Sequence, residues 1–517
     1  MAKGSVRSAS VFALLILLLQ ACSMPGTATP TPMLGEPPLG PLTLYVSTSG
    51  NDSNDCLSEA TPCLTVVYAL RISTPGSIIL IGPGEFTANG PLTARHDVTL
   101  QGAGIDQTTL TRASGDVMQF TSPGSRVTVR GMTIVGAGPD VPRNGIEVRE
   151  GVMLILENCR VRNNYYGIRL FADAAAQVSN IQVEENYYGV SNRGDLFLSS
   201  STFTRNLIGL ANYGSAQVDD VTFDDNGHFS ADSRSGTATI DNGGDGDLIL
   251  RGSRLINSRS YGIINHGRSV LLDGMEIHDN LGIAVWHQQG QLEVRSSVIR
   301  DNGVYGIAIG GRSGVPSVGT VSVHETAVVR NHSAGVRIDG GHVSLENVTV
   351  SGNVATTSGG GGIWMYGGTL ILLNSTVAFN TGHGLEAGPG EEPAVVTIRR
   401  SVVSLNSTEE CLLDPRVRIS YGTPGYYVCV ENSEAALGLG PLAAEAGTLV
   451  HPLLPGSPLI DAGGPAALCT TIDQRGFGRP SGLTCDVGAY EFGTTTAALV
   501  LATPDATTVP DIVPLPT

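Results

Sequence analysis

Lysine is all but missing: Lys3 is the only one in 517 residues, and 30 lysine and arginine side chains face 47 acidic ones, for a formal net charge of −17. Without a basic patch the chain excludes a nucleic-acid partner, and it excludes capture of anionic polymers by bulk electrostatics. Aromatics are scarce as well, at 5%, with two tryptophans. Beyond the first twenty residues no apolar run approaches the length that crosses ~30 Å of hydrocarbon. The body lacks helix-length amphipathic runs, which excludes an α-solenoid. The eight cysteines show no zinc-ligand spacing.

What the chain has instead is a repeat. An apolar residue, two variable ones and an asparagine recur eleven times, at Asn164, Asn186, Asn206, Asn226, Asn280, Asn302, Asn331, Asn353, Asn380 and Asn406, with Ser258 in one slot. Four of the ten steps are 22 residues, and the longer ones read as loops inserted into a fixed coil. Three residues before every anchor stands an apolar residue, from Val161 to Val403; five before stands a small or apolar one, such as Cys159, Ser201 or Ser375. Two such columns two residues apart describe a strand with one inward face. A second strand starts after each anchor at a Gly-Ile, Gly-Val or Gly-Leu pair (167/168, 262/263, 282/283, 362/363), and its next inward slot holds Leu170, Asn192, Asn212, Asn265, Val285 or Met365. Short strands at this period predict an all-β fold, a single-stranded right-handed parallel β-helix with coils ~4.8 Å apart. A leucine-rich repeat also anchors on asparagine, but its spaced leucines are absent. The anchors read as scaffold: each takes αL geometry at a tight turn, and its amide bonds the next coil.

Lys3 and Arg7, the apolar run Val11 to Leu19, and Leu19-Gln20-Ala21-Cys22 form a secretory leader over 1–21. Its end resembles a bacterial lipobox, which implies a lipidated Cys22, a membrane partner held through that lipid, and an exported protein of the cell envelope, in an outer membrane or at the cell surface. Losing the leader takes the charge from −17 to about −19, by removal of Lys3 and Arg7. A proline-rich tether follows over 22–41, an N-terminal cap over 42–76, the β-helix over 77–410, a closing module over 411–492, and a Thr/Pro tail over 493–517. The near pairs Cys56/Cys63, Cys411/Cys429 and Cys469/Cys485 predict three disulfides, as export permits, and Cys159 falls in a buried column as an inert thiol. The open ends of the β-helix call for covers. At the N-terminus, 62–70 is expected to form a short helix with Leu64, Val67 and Leu70 on one face.

Tyr45-Val46-Ser47, Gly50-Asn51-Asp52-Ser53-Asn54 and the Ile79 to Gly84 strand resemble the opening of secreted β-helix proteins of the pectin-lyase-like superfamily. Ser457-Pro458-Leu459-Ile460-Asp461-Ala462-Gly463, Asp473-Gln474-Arg475-Gly476, Arg479-Pro480 and Cys485-Asp486-Val487-Gly488-Ala489-Tyr490-Glu491 resemble the closing module of choice-of-anchor Q domain proteins. Together the resemblances cover roughly 42 to 492. The second implies that Asp473, Arg475 and Asp486 knit a disulfide-stapled C-terminal cap by ion pairs.

Outward slots and inserted loops are left for function. Phe171, Tyr213, His266, Trp286, Trp364 and Tyr366 are read as outward rings, with Tyr166, Tyr188, Tyr261 and Tyr305 just before the glycines. Such rings suit sugar faces, with Asn144, Arg169, Arg193 and Arg337 as hydrogen-bonding partners; the plainer reading is that they stack on one another and shield the sheet. Acids precede several anchors: Asp225, Asp279 and Asp301, with Arg300 alongside, present paired-carboxylate or Ca²⁺ chemistry, against the plainer reading of solvated turn acids. The loop after Asn226 holds His228, Asp232, Asp241, Asp245 and Asp247, of which Asp241, Asp245 and Asp247 are candidate Ca²⁺ ligands. Gly382-His383-Gly384 resembles one polygalacturonase motif, but that family's partner motifs are not in matching positions. Arg205, Arg300 and Arg330 are eligible as a lyase base, yet no motif selects one. The expectation is a non-catalytic surface module that binds glycan or presents an adhesive face, without a required cofactor. The alternative is a calcium-dependent polysaccharide lyase or related glycan-active enzyme.

Overall fold

The computed structural model describes residues 40–227, 237–310, 319–355, 360–388, 390, 394–422, 428–429 and 434–494. Cys22, most of the tether, His228, Asp232 and the tail from 495 lie outside them.

Each coil supplies one short strand to each of three parallel sheets, in a single solenoid of about fourteen turns. The first sheet has 16 strands, from Thr43–Val46 to Arg418–Tyr421; the second has 14, from Gly84–Thr87 to Val402–Val403; the third has 13, from Met118–Phe120 to Cys411–Leu413. The apolar column three before the anchors lies in the second sheet and is fully buried at all eleven positions. Its registers run Val161↔Val183↔Phe203↔Phe223, so like residues stack on like, and the Phe203 and Phe223 rings meet at 4.8 Å. The column five before the anchors is more than small. Ser201, Ser253, Ser297 and Ser375 hydroxyls accept the backbone N–H of Ile181, Val221, Met275 and Val348 on the preceding coil, at 3.0–3.2 Å.

The anchors form an amide ladder. Asn280 donates from both its backbone N (3.2 Å) and Nδ2 (2.8 Å) to Asn302 Oδ1, and Asn302 does the same to Asn331. The ladder ends on an acid: Glu410, buried, accepts from the Leu405 and Asn406 backbones and from Asn406 Nδ2. One expectation is corrected. The anchors themselves are not in αL; the residue before each one is, including Asn163 (φ 60°), Asp225 (52°), Asp279 (57°), Asp301 (55°) and Phe379 (58°). The αL residue turns the chain so that the following amide points inward, where the ladder needs it.

A second correction concerns one coil. Asn265 pairs with His287 and Ile263 with Val285, so Ala284-Val285, not Gly282-Ile283, opens that strand. From Ser258 onward the turn into the third sheet is one residue longer (Ser258 to Gly262, Asn302 to Gly306), and Gly282 falls within it. Inside the third sheet this register creates a second polar ladder: Asn192, Asn212, Asn242 and Asn265 pass amide hydrogen bonds of 2.7–2.8 Å from coil to coil, and Asn265 Nδ2 donates to His287 Nδ1 at 3.0 Å.

Disulfides join Cys56 to Cys63, Cys411 to Cys429 and Cys469 to Cys485, the three near pairs expected. Cys159 is buried and free, its thiol pushed up to about 12 by burial. Two of the bridged cysteines sit outside the elements expected to hold them. Cys63 is not part of the N-terminal helix: it runs extended beside the first strand, with its N–H donating to Tyr45 O at 2.8 Å and its carbonyl accepting from Ser47 N at 3.0 Å. Those strand-edge bonds hold Cys63 out of the helix, which is Val66–Ile72 and is capped by the Thr65 hydroxyl. Its buried residues are Val66, Ala69 and Leu70, whereas Leu64 and Val67 are 43% and 41% exposed. With the helix starting at Val66, the i, i+3, i+4 stripe falls one residue away from the face expected.

Cys429 belongs to the solenoid rather than to the closing module. Its N–H donates to Val403 O at 3.1 Å, beside the last strand of the second sheet, and its partner Cys411 opens the last strand of the third. The Cys411–Cys429 bridge therefore ties the final coil across two sheets, and Cys469–Cys485 is the staple within the closing segment.

The boundary at 411 is corrected accordingly. Cys411–Leu413 and Arg418–Tyr421 continue the third and first sheets as further solenoid strands. Residues 434–494 lie along the outer face of the second sheet: Asn347 Nδ2 donates to Ile472 O, Thr349 Oγ1 to Gln474 Oε1, and the Ala489 N–H to Thr376 Oγ1, on successive coils. Leu437, Leu439, Leu453, Leu459 and Val487 form a second core there with Ala378 and Val402. Arg475 pairs with Asp473 (2.7 Å) and Glu445 (2.8 Å), and Arg479 with Glu491 (3.0 Å). Asp486 instead accepts the backbone N–H groups of Asp461 and Phe492.

Candidate functional site

The acidic row comes first. Asp225, Asp279 and Asp301 occupy the αL slot of their coils, and each is already bound. Asp225 meets Arg259 Nε at 2.9 Å, Asp279 meets His278 Nδ1 at 2.6 Å, and Asp301 meets Arg300 Nη1 at 2.7 Å and Arg330 Nε at 2.8 Å. Burial would raise the Asp301 carboxyl, but hydrogen bonds from Arg330 and Arg300 outweigh it and hold the group below the usual range. Arg205 is likewise drawn to Glu184 and Glu185. A crevice of about 830 Å³ opens beside this row, between Arg330, Gly352 and Phe379 and the segment 434–457, and none of the three aspartates lines it. His383 is half-buried, with Nδ1 near Glu409 O and Thr408.

The three candidate calcium ligands diverge. Asp241 lies in a third-sheet strand and Asp247 in a first-sheet one, with exposed Asp245 in the turn between. Asp247 pairs with Arg268 and Ser269, and Asp241 with His266 and Tyr213. Among the described residues no three His, Cys, Asp or Glu side chains converge as metal ligands.

The outer face of the third sheet carries two rows. Register puts Arg169, Ser191, Ala211, Asp241, Ile264, Trp286, Ala308, Arg337, Trp364 and Glu386 in one. Two residues further along each coil, Phe171, Arg193, Tyr213, Gly243, His266 and, much later, Tyr366 form the other. The six rings singled out from sequence therefore do not share a lane: the tryptophans belong to the first row, three coils apart, and the other four to the second.

The rings also present less face than expected. Tyr165 stacks on Tyr187 (4.5 Å, 13°) and Tyr166 on Tyr188 (5.0 Å, 12°), so neighbours cover each other's faces. Trp286 donates Nε1 to Gly310 O at 2.8 Å and meets Tyr261 edge-on. Phe171 lies under two guanidiniums, Arg149 at 3.9 Å and Arg169 at 4.7 Å; Arg169 also covers Tyr166 at 4.5 Å, and Arg193 stands over Tyr213 at 5.5 Å. Arg337 sits among Tyr305, Trp364 and Tyr366 and bonds Asp339 and the Tyr305 hydroxyl.

These arginines divide by partner. Arg149 is tied to Glu147 (2.6 Å) and Arg337 to Asp339 (2.9 Å), and Asn144 is buried and spent on Glu147. Among the described residues Arg169 and Arg193 meet rings but no carboxylate. Stacking fixes a guanidinium's plane while leaving its N–H edge free, the geometry that recognises an oxyanion. The sequence pattern did not connect Asp241 with His266. The signal was the inward Asn192, Asn212, Asn242, Asn265 series, which sets Asp241 on the same outer face.

Among curated protein sequences none matches this chain. Solved structures with similar folds include pectate lyase Pel9A (15% identity over 87% of this chain and 96% of that one, TM-score 0.30). The A-module of the Azotobacter vinelandii mannuronan C-5 epimerase AlgE6 matches at 16% identity over 69% of this chain and 93% of its own, with TM-score 0.37. The catalytic domain of a GH87 alpha-1,3-glucanase, in complex with tetrasaccharides, matches at 13% identity over 80% and 71%, with TM-score 0.35. The family profile described as "Right handed beta helix region" matches residues 119–280, 208–381 and 281–411, more than half of the chain, and the chain belongs to that right-handed β-helix family.

Proposed function

We propose that this protein is a non-catalytic surface module whose third-sheet face binds glycan, and that the face selects chains carrying anionic groups. One observation carries the reading: Arg169 and Arg193, stacked on Tyr166, Phe171 and Tyr213, stand on neighbouring coils without a carboxylate partner among the described residues. The formal charge of −17 repels a polyanion as a whole, so recognition must be local and short-ranged. Half-buried rings supply apolar contact beside the guanidiniums. The alternative, a calcium-dependent polysaccharide lyase built on Asp225, Asp279, Asp301 and Arg300, is disfavoured because those carboxylates are committed to arginine and histidine partners.

The envelope assignment belongs to the same proposal. The leader and lipobox-like Cys22 would tether the solenoid to a membrane through lipid, and three disulfides suit an oxidising compartment. In this reading the Val66–Ile72 helix covers the N-terminal end, and the Asp473, Arg475 and Asp486 module braces the C-terminal coils from the side. Cys22→Ala should move the protein from the membrane to the soluble fraction; retention on the membrane would refute the anchor. For the glycan face, an array of uronate, sulfated and neutral oligosaccharides probed with the full chain should show binding to acidic members. Arg169→Ala and Arg193→Ala should each weaken it about tenfold, as loss of one charge-assisted contact predicts. Binding unchanged in both variants overturns the assignment. Release of unsaturated sugar products, abolished by a chelator, would overturn the non-catalytic part.

A further inference from the structure

Tyr213, Asp241 and His266 stand on three consecutive coils and converge. His266 Nε2 lies 2.8 Å from Asp241 Oδ1, and the Tyr213 hydroxyl lies 3.4 Å from Asp241 Oδ2. Between the two rings, on the middle coil, the row holds Gly243. A Cβ at that position would sit 2.7 Å from His266 Cε1 and 2.9 Å from Tyr213 Cε1, so both rings lean into space that only glycine leaves open. The backbone beneath is fixed by the inward ladder, in which Asn242 and Asn265 precede Gly243 and His266. Arg193 stands on the coil before Tyr213, over its ring.

We propose that Asp241 and His266 form a proton-controlled gate on anion binding at this face; the proposal rests on the glycan-binding reading above. With His266 protonated, the Asp241 charge is neutralised within the pair, and Arg193 is left to an anionic sugar. With His266 neutral, Asp241 presents a bare negative charge two coils from Arg193, where it repels the incoming anion and competes for the guanidinium.

The groups around the imidazole are few. Tyr213 and Asp241 face it from the two preceding coils, with Arg193 beyond Tyr213 and exposed Asp245 in the turn after Asp241. Arg268, two residues on, is held by Asp247, and His287 on the next coil points inward. The hydrogen bond that the imidazole donates to Asp241 raises it above its ordinary value, against the effect of burial, while burial raises the Tyr213 phenol and keeps it neutral. Binding should therefore take up a proton: affinity is high on the acid side and is lost as pH rises through the raised His266 value.

The test titrates a hexuronate oligomer against the full chain by calorimetry between about pH 5.5 and 8.5, the range over which histidine changes charge. Affinity should fall about fivefold across that range, the size of one unscreened charge at this separation. His266→Gln and Asp241→Asn should each flatten the profile, and Asp241→Asn should keep the tighter affinity throughout. A flat wild-type profile, or a fall that persists in both variants, overturns the gate while leaving glycan binding standing. Failure to bind acidic or neutral oligomers at any pH sinks both readings. NMR titration of His266, which should drop toward its ordinary value in Asp241→Asn, reads the pair without any ligand; an unmoved value overturns the coupling.

Discussion

Asn302 makes five polar contacts from one buried amide, the two Nδ2 hydrogens being shared among three acceptors. Nδ2 donates to Ile277 O, Arg300 O and Asn331 Oδ1, while Oδ1 accepts from the backbone and side chain of Asn280. No other side chain of that size satisfies both directions of the ladder. Asn302→Leu should cost about 3 kcal/mol, because it strands a buried N–H and a buried amide on the coil before it. Urea denaturation monitored by circular dichroism reads this directly, and a loss below about 1 kcal/mol would show the ladder to be incidental. Asn302→Ser should cost less, since Ser258 already occupies one slot of the column, with its N–H donating to Asn280 Oδ1 and its hydroxyl bonded to Thr239 (2.8 Å). Glu410→Gln should be tolerated better than Glu410→Ala, for the glutamine keeps an acceptor for the Asn406 N–H. The amide column was legible in sequence because a stacked fold repeats one residue's environment on every coil. The αL slot was not, because Asn163, Glu185, Arg205 and Phe379 share no side-chain chemistry, only a backbone angle.

At the scale of elements, the seat of the C-terminal segment was written in residues that the strand pattern did not use. On the early coils the outer face of the second sheet reads Arg160 and Arg162, then Gln182 and Glu184. On the late ones it reads Ala327 and Val329, Thr349 and Ser351, Thr376 and Ala378. A solvated face that turns small and apolar over three coils announces a lateral partner. Reading inward columns alone discards that signal, and so does treating terminal segments as covers for an open end. Leu459→Ala, fully buried in the second core, should destabilise the 434–494 segment by about 2–5 kcal/mol. Its amides should lose hydrogen-exchange protection while those of the amide ladder keep theirs. Equal loss in both regions would mean that the two cores unfold as one. The N-terminal helix makes the same point in miniature. Its stripe was visible, but its start at Val66 is set by the Thr65 cap, and a one-residue shift moves Val67 from the buried face to solvent.

For the whole molecule, buried titratable groups pull stability in opposite directions with pH. Burial depresses His287 to about 4 and lowers His451, so both fold as neutral rings. Their contribution is present above the unfolded value near 6.5 and is lost as pH falls through the folded values. Burial raises Asp486 to about 6 and raises Glu325. For these carboxyls the native state holds the proton more tightly, so their contribution is greatest in acid and is lost as pH climbs through the folded values. His266, raised by Asp241, adds stability below 6.5 that fades as pH rises through its folded value. Asp301, held low by Arg330 and Arg300, gives way only in stronger acid. The sum is a broad maximum at about pH 5–7, with a shallow decline on the alkaline side and a steep one below about pH 4. The decline below about pH 4 belongs to Asp301; between about 6.5 and 4, where the unfolded chain takes a proton that the native one refuses, the loss belongs to His287, which closes the inward ladder on Asn265 and, among the described residues, leaves Nε2 without a partner. His287→Asn would continue the Asn192, Asn212, Asn242, Asn265 series by one rung and remove the imidazole that acid must charge inside the core. Melting temperatures measured from about pH 3 to 9 should show this variant holding its stability further into acid while matching the wild type near neutrality. An acid limb that stays where it was would assign the acid sensitivity to His451 and the 434–494 segment instead, where hydrogen exchange at low pH would find the first opening.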